Sequence, residues 1–105
     1  MSNEIKAAVT PTVETVAQKL RRCLDWIEGT GANEEITGVY PNLTPPQISI
    51  RDLEAMRRLF SGRKAVKKRD TSYYNYRLEL CGIIFNAIEW FSEQRQSFEP
   101  QEVTL

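Results

Sequence analysis

Apolar residues recur every three or four positions near the start of the chain, the spacing of one buried helical face. The stripe consists of Val13, Val16, Ala17, Leu20, Cys23, Leu24 and Ile27. Thr10 is a good N-cap, and Pro11 suits the first helical position because its missing N–H is not needed there. Gly29 can close the helix in a left-handed conformation. The pattern predicts a first helix over about residues 11–28.

The next segment has no helical period. Residues 29–48 hold three glycines and three prolines, which predicts a long ordered loop packed on the helices; a short strand around Ile36–Tyr40 is the alternative, although no pairing partner for it is evident. Ser49 followed three residues later by Asp52 resembles a capping box and favours a second helix over about residues 50–61. Its buried stripe consists of Leu53, Met56, Leu59 and Phe60. Gly62 would end this helix, and a basic connector follows over residues 62–71.

The segment after the connector is apolar around most of a helical circumference. Its polar positions recur at spacings of three and four and form one narrow stripe. That stripe consists of Asn75, Glu79, Gly82, Asn86, Glu89 and Glu93. The pattern predicts a third, largely buried helix over about residues 73–94, followed by a tail over residues 95–105 without periodicity.

These elements predict an all-α fold, a small three-helix domain around a long central C-terminal helix. At 105 residues the chain has the length of one domain. The second helix is too short to cover the C-terminal half of the third, so that half needs another cover. The long loop is one candidate, and another protein surface is the other. The residues predicted for such a partner surface are Phe85, Ile88, Trp90, Phe91 and Trp26.

Charge is segregated along the chain although fourteen basic and fourteen acidic residues balance. Seven cations fall within residues 57–69 and lead into tyrosines, a combination suited to nucleic-acid phosphates and bases or to an acidic protein partner. The predicted contacts are Arg57, Arg58, Arg63, Lys64, Lys67, Lys68, Arg69, Tyr73 and Tyr74. The competing interpretation is a solvated connector whose cations complement the dipole of the second helix.

The composition argues against catalysis. The chain has no histidine, no phosphate-binding glycine motif and no set of zinc ligands. Cys23 and Cys81 both fall on apolar helical positions and are interpreted as reduced core thiols. The adjacent Glu34 and Glu35 are interpreted as solvated. We therefore predict no catalytic, cofactor or metal site. With neither a secretory signal nor an apolar membrane span, we expect a cytoplasmic protein.

Two functional hypotheses follow. The first is a non-catalytic protein-interaction module, such as a helical adaptor, an inhibitor or a small assembly subunit, that binds another copy of itself or a different protein. The second is a small helical subunit of a larger complex that binds a nucleic-acid backbone through residues 57–69.

Overall fold

The computed structural model describes residues 13–90 and 100–105, and within these ranges the chain forms one mixed β-sheet with two helices. The helices are α1 (Val16–Thr30) and α2 (Leu53–Leu59). The strands are β1 (Ile36–Tyr40), β2 (Gln47–Ile50), β3 (Lys64–Arg69), β4 (Tyr73–Leu80), β5 (Ile83–Trp90) and β6 (Gln101–Thr104). Their order in the sheet is β1-β2-β5-β4-β3-β6, with only β2 and β5 parallel. The all-α, helical-bundle prediction is wrong.

Both helices have local caps that explain where they begin. The Thr15 hydroxyl accepts a hydrogen bond from the Gln18 amide at 3.1 Å, and the Gln18 side chain accepts one from the Thr15 amide at 2.8 Å. Asp52 caps α2 by accepting from the Ala55 amide at 2.8 Å. The predicted cap Ser49 instead lies in β2, and Thr10 and Pro11 are outside the described residues.

The predicted third helix is a β-hairpin. Tyr74, Tyr76, Leu78 and Leu80 alternate with polar residues at period two, as in a strand with one buried face. Cys81 and Gly82 form the two-residue loop with φ of 55° and 71°, the backbone of a hairpin turn that matches strand twist. Positive φ at two successive residues ends any helix there. Residues 91–94 of the predicted helix are outside the described residues.

Three further predictions are corrected by strand pairing. The predicted loop at 29–48 contains β1, at the position where a short strand was the alternative, and the first half of β2, with which β1 pairs antiparallel. The predicted connector at 62–71 contains β3, which lies between β4 and β6. The predicted tail contains β6. The first helix does not close at Gly29, because α1 runs through Thr30 and Gly31 takes the left-handed position with φ of 71°.

One face of the sheet, the inner face, carries the core and both helices. The rings of Trp26 on α1, Phe60 after α2 and Phe85 on β5 form one cluster, with Phe85 centroids 4.5 Å from Trp26 and 4.8 Å from Phe60. Cys23 and Met56, one from each helix, are fully buried in the same core. The buried helical stripes are therefore covered by the sheet rather than by a third helix.

The opposite face, here called the outer face, is identified by strand register. Its residues alternate with those of the core. They are Gly38 and Tyr40 on β1, Gln47 and Ser49 on β2, Lys64, Val66 and Lys68 on β3, Tyr73, Asn75, Arg77 and Glu79 on β4, Ile84, Asn86, Ile88 and Trp90 on β5, and Glu102 and Thr104 on β6. Exposure rises along β5, where Ile84 is buried, Ile88 is half-buried and Trp90 is 68% exposed.

Candidate functional site

An aromatic pair with one exposed ring lies at one end of the outer face. Tyr73 on β4 and Trp90 on β5 are directly opposite in the antiparallel register. Their ring centroids are 5.2 Å apart, with the rings inclined at 67°, an edge-to-face arrangement. Both residue types have β propensity, and their contact fixes the two rings relative to each other. A tryptophan held in place yet 68% exposed offers an apolar ring surface to a ligand.

Two cations occupy the rows beside this aromatic pair. Lys68 is opposite Asn75, which is opposite Ile88 in the row next to Tyr73 and Trp90. Arg77 lies one row further, opposite Asn86. The outer-face acids Glu79 and Glu102 lie farther from the aromatic pair, and Glu102 pairs with Lys64 at 3.3 Å. Among the strand residues of this face, the cations Lys68 and Arg77 therefore lie nearer the two rings than the acids do, while the Asp70 carboxylate of the turn before β4 contacts Tyr73 directly.

An amide-rich patch continues the outer face away from the aromatic pair. The Asn86 carbonyl oxygen accepts hydrogen bonds from Gln47 Nε2 at 2.8 Å and from Ser49 Oγ at 3.1 Å. These three residues form what we call the amide network. On β4, which is the other neighbour of β5, Asn75 Oδ1 is buried and has no hydrogen-bond partner within the described residues. An unsatisfied buried acceptor costs about 1–3 kcal/mol, so this position carries a stability penalty.

The turn before β4 orients Tyr73. The Asp70 carboxylate accepts a hydrogen bond from the Thr71 amide at 2.7 Å, and this bond lowers the pKa of Asp70. Hydrogen bonding between the Tyr73 hydroxyl and the Asp70 carboxylate raises the pKa of Tyr73. The phenol therefore stays neutral across the physiological range, and its hydroxyl is directed at the turn.

The inner face carries a different arrangement near the same end of the sheet. Lys67 Nζ lies 4.2 Å from the centroid of the Tyr74 ring and 5.6 Å from that of Tyr76. The Tyr76 hydroxyl donates to Glu89 Oε1 at 3.0 Å. Burial, then this hydrogen bond, raises the pKa of Tyr76 to about 12. Lys67 and Tyr74 are thus engaged within the fold, on the opposite face from Lys68 and Tyr73.

The residues predicted as a partner surface are divided by the sheet. Phe85 is fully buried, and Trp26 packs against it in the core. Ile88 and Trp90 lie together on the outer face. Phe91 is outside the described residues.

The remaining predicted basic contacts are dispersed as well. Arg57 and Arg58 lie in the last turn of α2, where cations complement the helix dipole, and Arg58 approaches Glu35 at 3.9 Å. Arg63 is exposed in the turn before β3. Arg69 has the inner-face alignment of Lys67, opposite Tyr74. Of the basic segment, Lys68 is the cation that lies nearest the Tyr73–Trp90 pair on the outer face.

The cysteines also differ from each other. Cys23 is buried, and burial raises the pKa of its thiol, which fits the predicted core thiol. Cys81 is exposed in the hairpin turn, so its prediction as a core residue is wrong. Both are free thiols.

The described residues contain no cluster of three or more potential metal ligands. None of the helices in the described ranges is long and apolar enough to cross a membrane.

Several outer-face residues were not singled out as a site by the sequence patterns. They are Tyr40, Gln47, Ser49, Asn75, Arg77 and Asn86. The period-two alternation from Tyr74 to Leu80 was the signal that could have placed Asn75 and Arg77 on one exposed face. Nothing local shows that β2 lies beside β5, because that parallel pairing joins distant segments.

Comparison with protein-family models, curated proteins and solved structures gives no match to this chain.

Proposed function

We propose that this chain is a non-catalytic binding module whose outer sheet face binds single-stranded nucleic acid. The observation that carries the proposal is the Tyr73–Trp90 pair on a sheet face, in which the Trp90 ring is exposed, with Lys68 and Arg77 in the next two rows. Aromatic rings stack on bases regardless of sequence, and neighbouring cations neutralise phosphates. Side-chain amides can hydrogen-bond base edges, and the outer face carries those of Gln47 and Asn86.

A single strand suits this surface better than a duplex does. Bases in a duplex are stacked on one another and present only their edges, whereas an unpaired base can lie against Trp90. Within residues 13–90 and 100–105, this face of the sheet carries no helix that could enter a groove. Two cations beside the rings supply local attraction even though the whole chain has a formal net charge of +0.

The test is fluorescence anisotropy of a labelled single-stranded oligonucleotide of about 12 nucleotides, titrated with protein at several salt concentrations. Binding should weaken as salt rises, and Arg77→Glu should weaken it by about tenfold or more through loss of a phosphate contact. Arg21→Glu is the matched control, since it makes the same charge change on an exposed position of α1. Circular dichroism of each variant verifies folding.

A protein partner is the competing function, and the exposed apolar side chains Val66 and Trp90 on the outer face favour it. The same protein samples distinguish nucleic-acid binding from binding to a protein partner. Absence of oligonucleotide binding at low salt, together with concentration-dependent self-association that Trp90→Ala abolishes, would replace the nucleic-acid proposal with a protein interface.

A further inference from the structure

A second exposed ring lies at the far corner of the outer face. Tyr40 on β1 is 45% exposed, and its neighbour two residues earlier on the same face is Gly38. A Cβ atom at Gly38 would lie 2.7 Å from the Tyr40 hydroxyl oxygen and 3.0 Å from Cε2 and Cζ of the ring. The hydroxyl end of Tyr40 therefore occupies the space that a side chain at residue 38 would fill. Gly38 lets the ring lie along the strand instead of extending into solvent.

The two aromatic positions are connected by the outer faces of β5 and β2. From Trp90 this surface passes Ile88 and Asn86 on β5, with Asn75 and Arg77 beside them on β4, then the amide network, and ends at Tyr40, which is opposite Gln47. Given about 3.3 Å per residue and about 4.8 Å between strands, the Cα atoms of Trp90 and Tyr40 are about 22 Å apart along the sheet. Stacked nucleotides advance by about 3.4 Å each, so about six or seven span this distance, and fewer when the strand is extended.

We infer that the outer face binds one strand across β5 and β2, with bases stacked at both ends, on Trp90 and on Tyr40. This inference rests on the proposed function and adds the path of the bound strand across the sheet and the minimum length of strand that reaches both rings. Lys68 and Arg77 contact the backbone near the first position, and the amide network contacts base edges between the two.

The test compares oligonucleotides of about 3 and about 12 nucleotides, with affinity measured by anisotropy. Trp90→Ala should weaken binding of both lengths by about fivefold or more, as expected for loss of a base stack. Tyr40→Ala should weaken the long oligonucleotide by a similar factor and leave the short one unchanged. Tyr40→Phe retains the ring and should bind like the unmodified chain.

Gly38→Val provides an independent variant, because its side chain would displace the Tyr40 ring while a β-branched residue suits a strand. It should reproduce the length-dependent loss of Tyr40→Ala, with retention of the β-sheet spectrum as the folding control. If Tyr40→Ala and Gly38→Val leave long-oligonucleotide affinity unchanged while Trp90→Ala lowers it, the second stacking position is refuted and the proposed function stands. If Trp90→Ala and Arg77→Glu also have no effect, the proposed function fails as well.

Discussion

The Nζ atom of Lys67 lies 4.2 Å from the centroid of the Tyr74 ring, on the face of the sheet that carries the helices. Lys68, the next residue, has its Cα opposite Asn75 and belongs to the other face. Strand alternation thus divides two adjacent lysines between an internal cation–π contact and the candidate site. Two identical substitutions one residue apart can therefore separate folding from binding.

Lys68→Glu should weaken oligonucleotide binding by about tenfold and lower the slope of log affinity against log salt by about 0.7, the value for one phosphate contact on a single strand. Lys67→Glu should leave that slope unchanged and lower the free energy of unfolding by about 0.5–1 kcal/mol, the usual strength of an accessible cation–π contact. Salt-dependent anisotropy and urea denaturation measure the two effects. Equal loss of binding in both variants would contradict the assignment of the two faces.

Phe85 and Trp90 are both predicted from the sequence for one partner surface, but alanine at the two positions should affect stability very differently. Phe85→Ala leaves a cavity between Trp26 and Phe60 and should cost about 3–5 kcal/mol. Trp90→Ala should change stability by less than about 1 kcal/mol, because its ring is mainly exposed and its contact with Tyr73 is a single aromatic pair. Thermal unfolding followed by circular dichroism compares them. A Tm loss for Trp90→Ala as large as that for Phe85→Ala would place Trp90 in the core.

Tyr76 makes stability depend on alkaline pH. Its pKa in the folded protein, about 12, is above the ordinary value of 10.0, so the neutral phenol is favoured by folding. This contribution is fully present below about pH 10 and is lost as pH rises towards about 12. Tyr76→Phe should be less stable than the unmodified chain at neutral pH and show a smaller decline over that interval. Urea denaturation at stepped pH values measures it, and an unchanged decline in Tyr76→Phe would assign the effect to another group.

The sequence predicted the approximate positions of both helices because their signals are local. The apolar stripe that includes Cys23 and Ile27 lies largely within α1, and the Asp52 cap lies directly before α2. The sheet was missed because polar residues at 75, 79, 82, 86 and 89 also have a helical period, and this period outweighed the alternation from Tyr74 to Leu80. The candidate site depends on pairing between β4, β5 and β3. The residue types at Trp90 and Lys68 therefore indicated contact residues, but the local sequence could not show that the two side chains lie on the same face of the sheet.

The hairpin turn that replaces the predicted helix can be tested directly. Gly82 has φ of 71°, and a Cβ there would lie 3.2 Å from Arg22 Nη1, whose hydrogen bond to the Gly82 carbonyl joins α1 to the turn. Gly82→Ala should therefore cost about 1–2 kcal/mol. Cys81→Asn should stabilise the fold, because asparagine tolerates the left-handed conformation better than cysteine does. Thermal unfolding of both variants checks the turn, and a helical segment would instead be stabilised by alanine at residue 82.

Asn75 links the stability of the sheet to the candidate site. Its Oδ1 atom is buried without a hydrogen-bond partner within the described residues, and asparagine is a poor strand former. Asn75→Val removes the unsatisfied acceptor and should raise the free energy of unfolding by about 1 kcal/mol. The same change removes an amide located between Lys68 and Ile88, so oligonucleotide affinity should fall even though the fold is more stable. Urea denaturation and anisotropy on one preparation measure both quantities. Greater stability with unchanged affinity would remove Asn75 from the binding surface, and lower stability would show that its amide is satisfied in the folded protein.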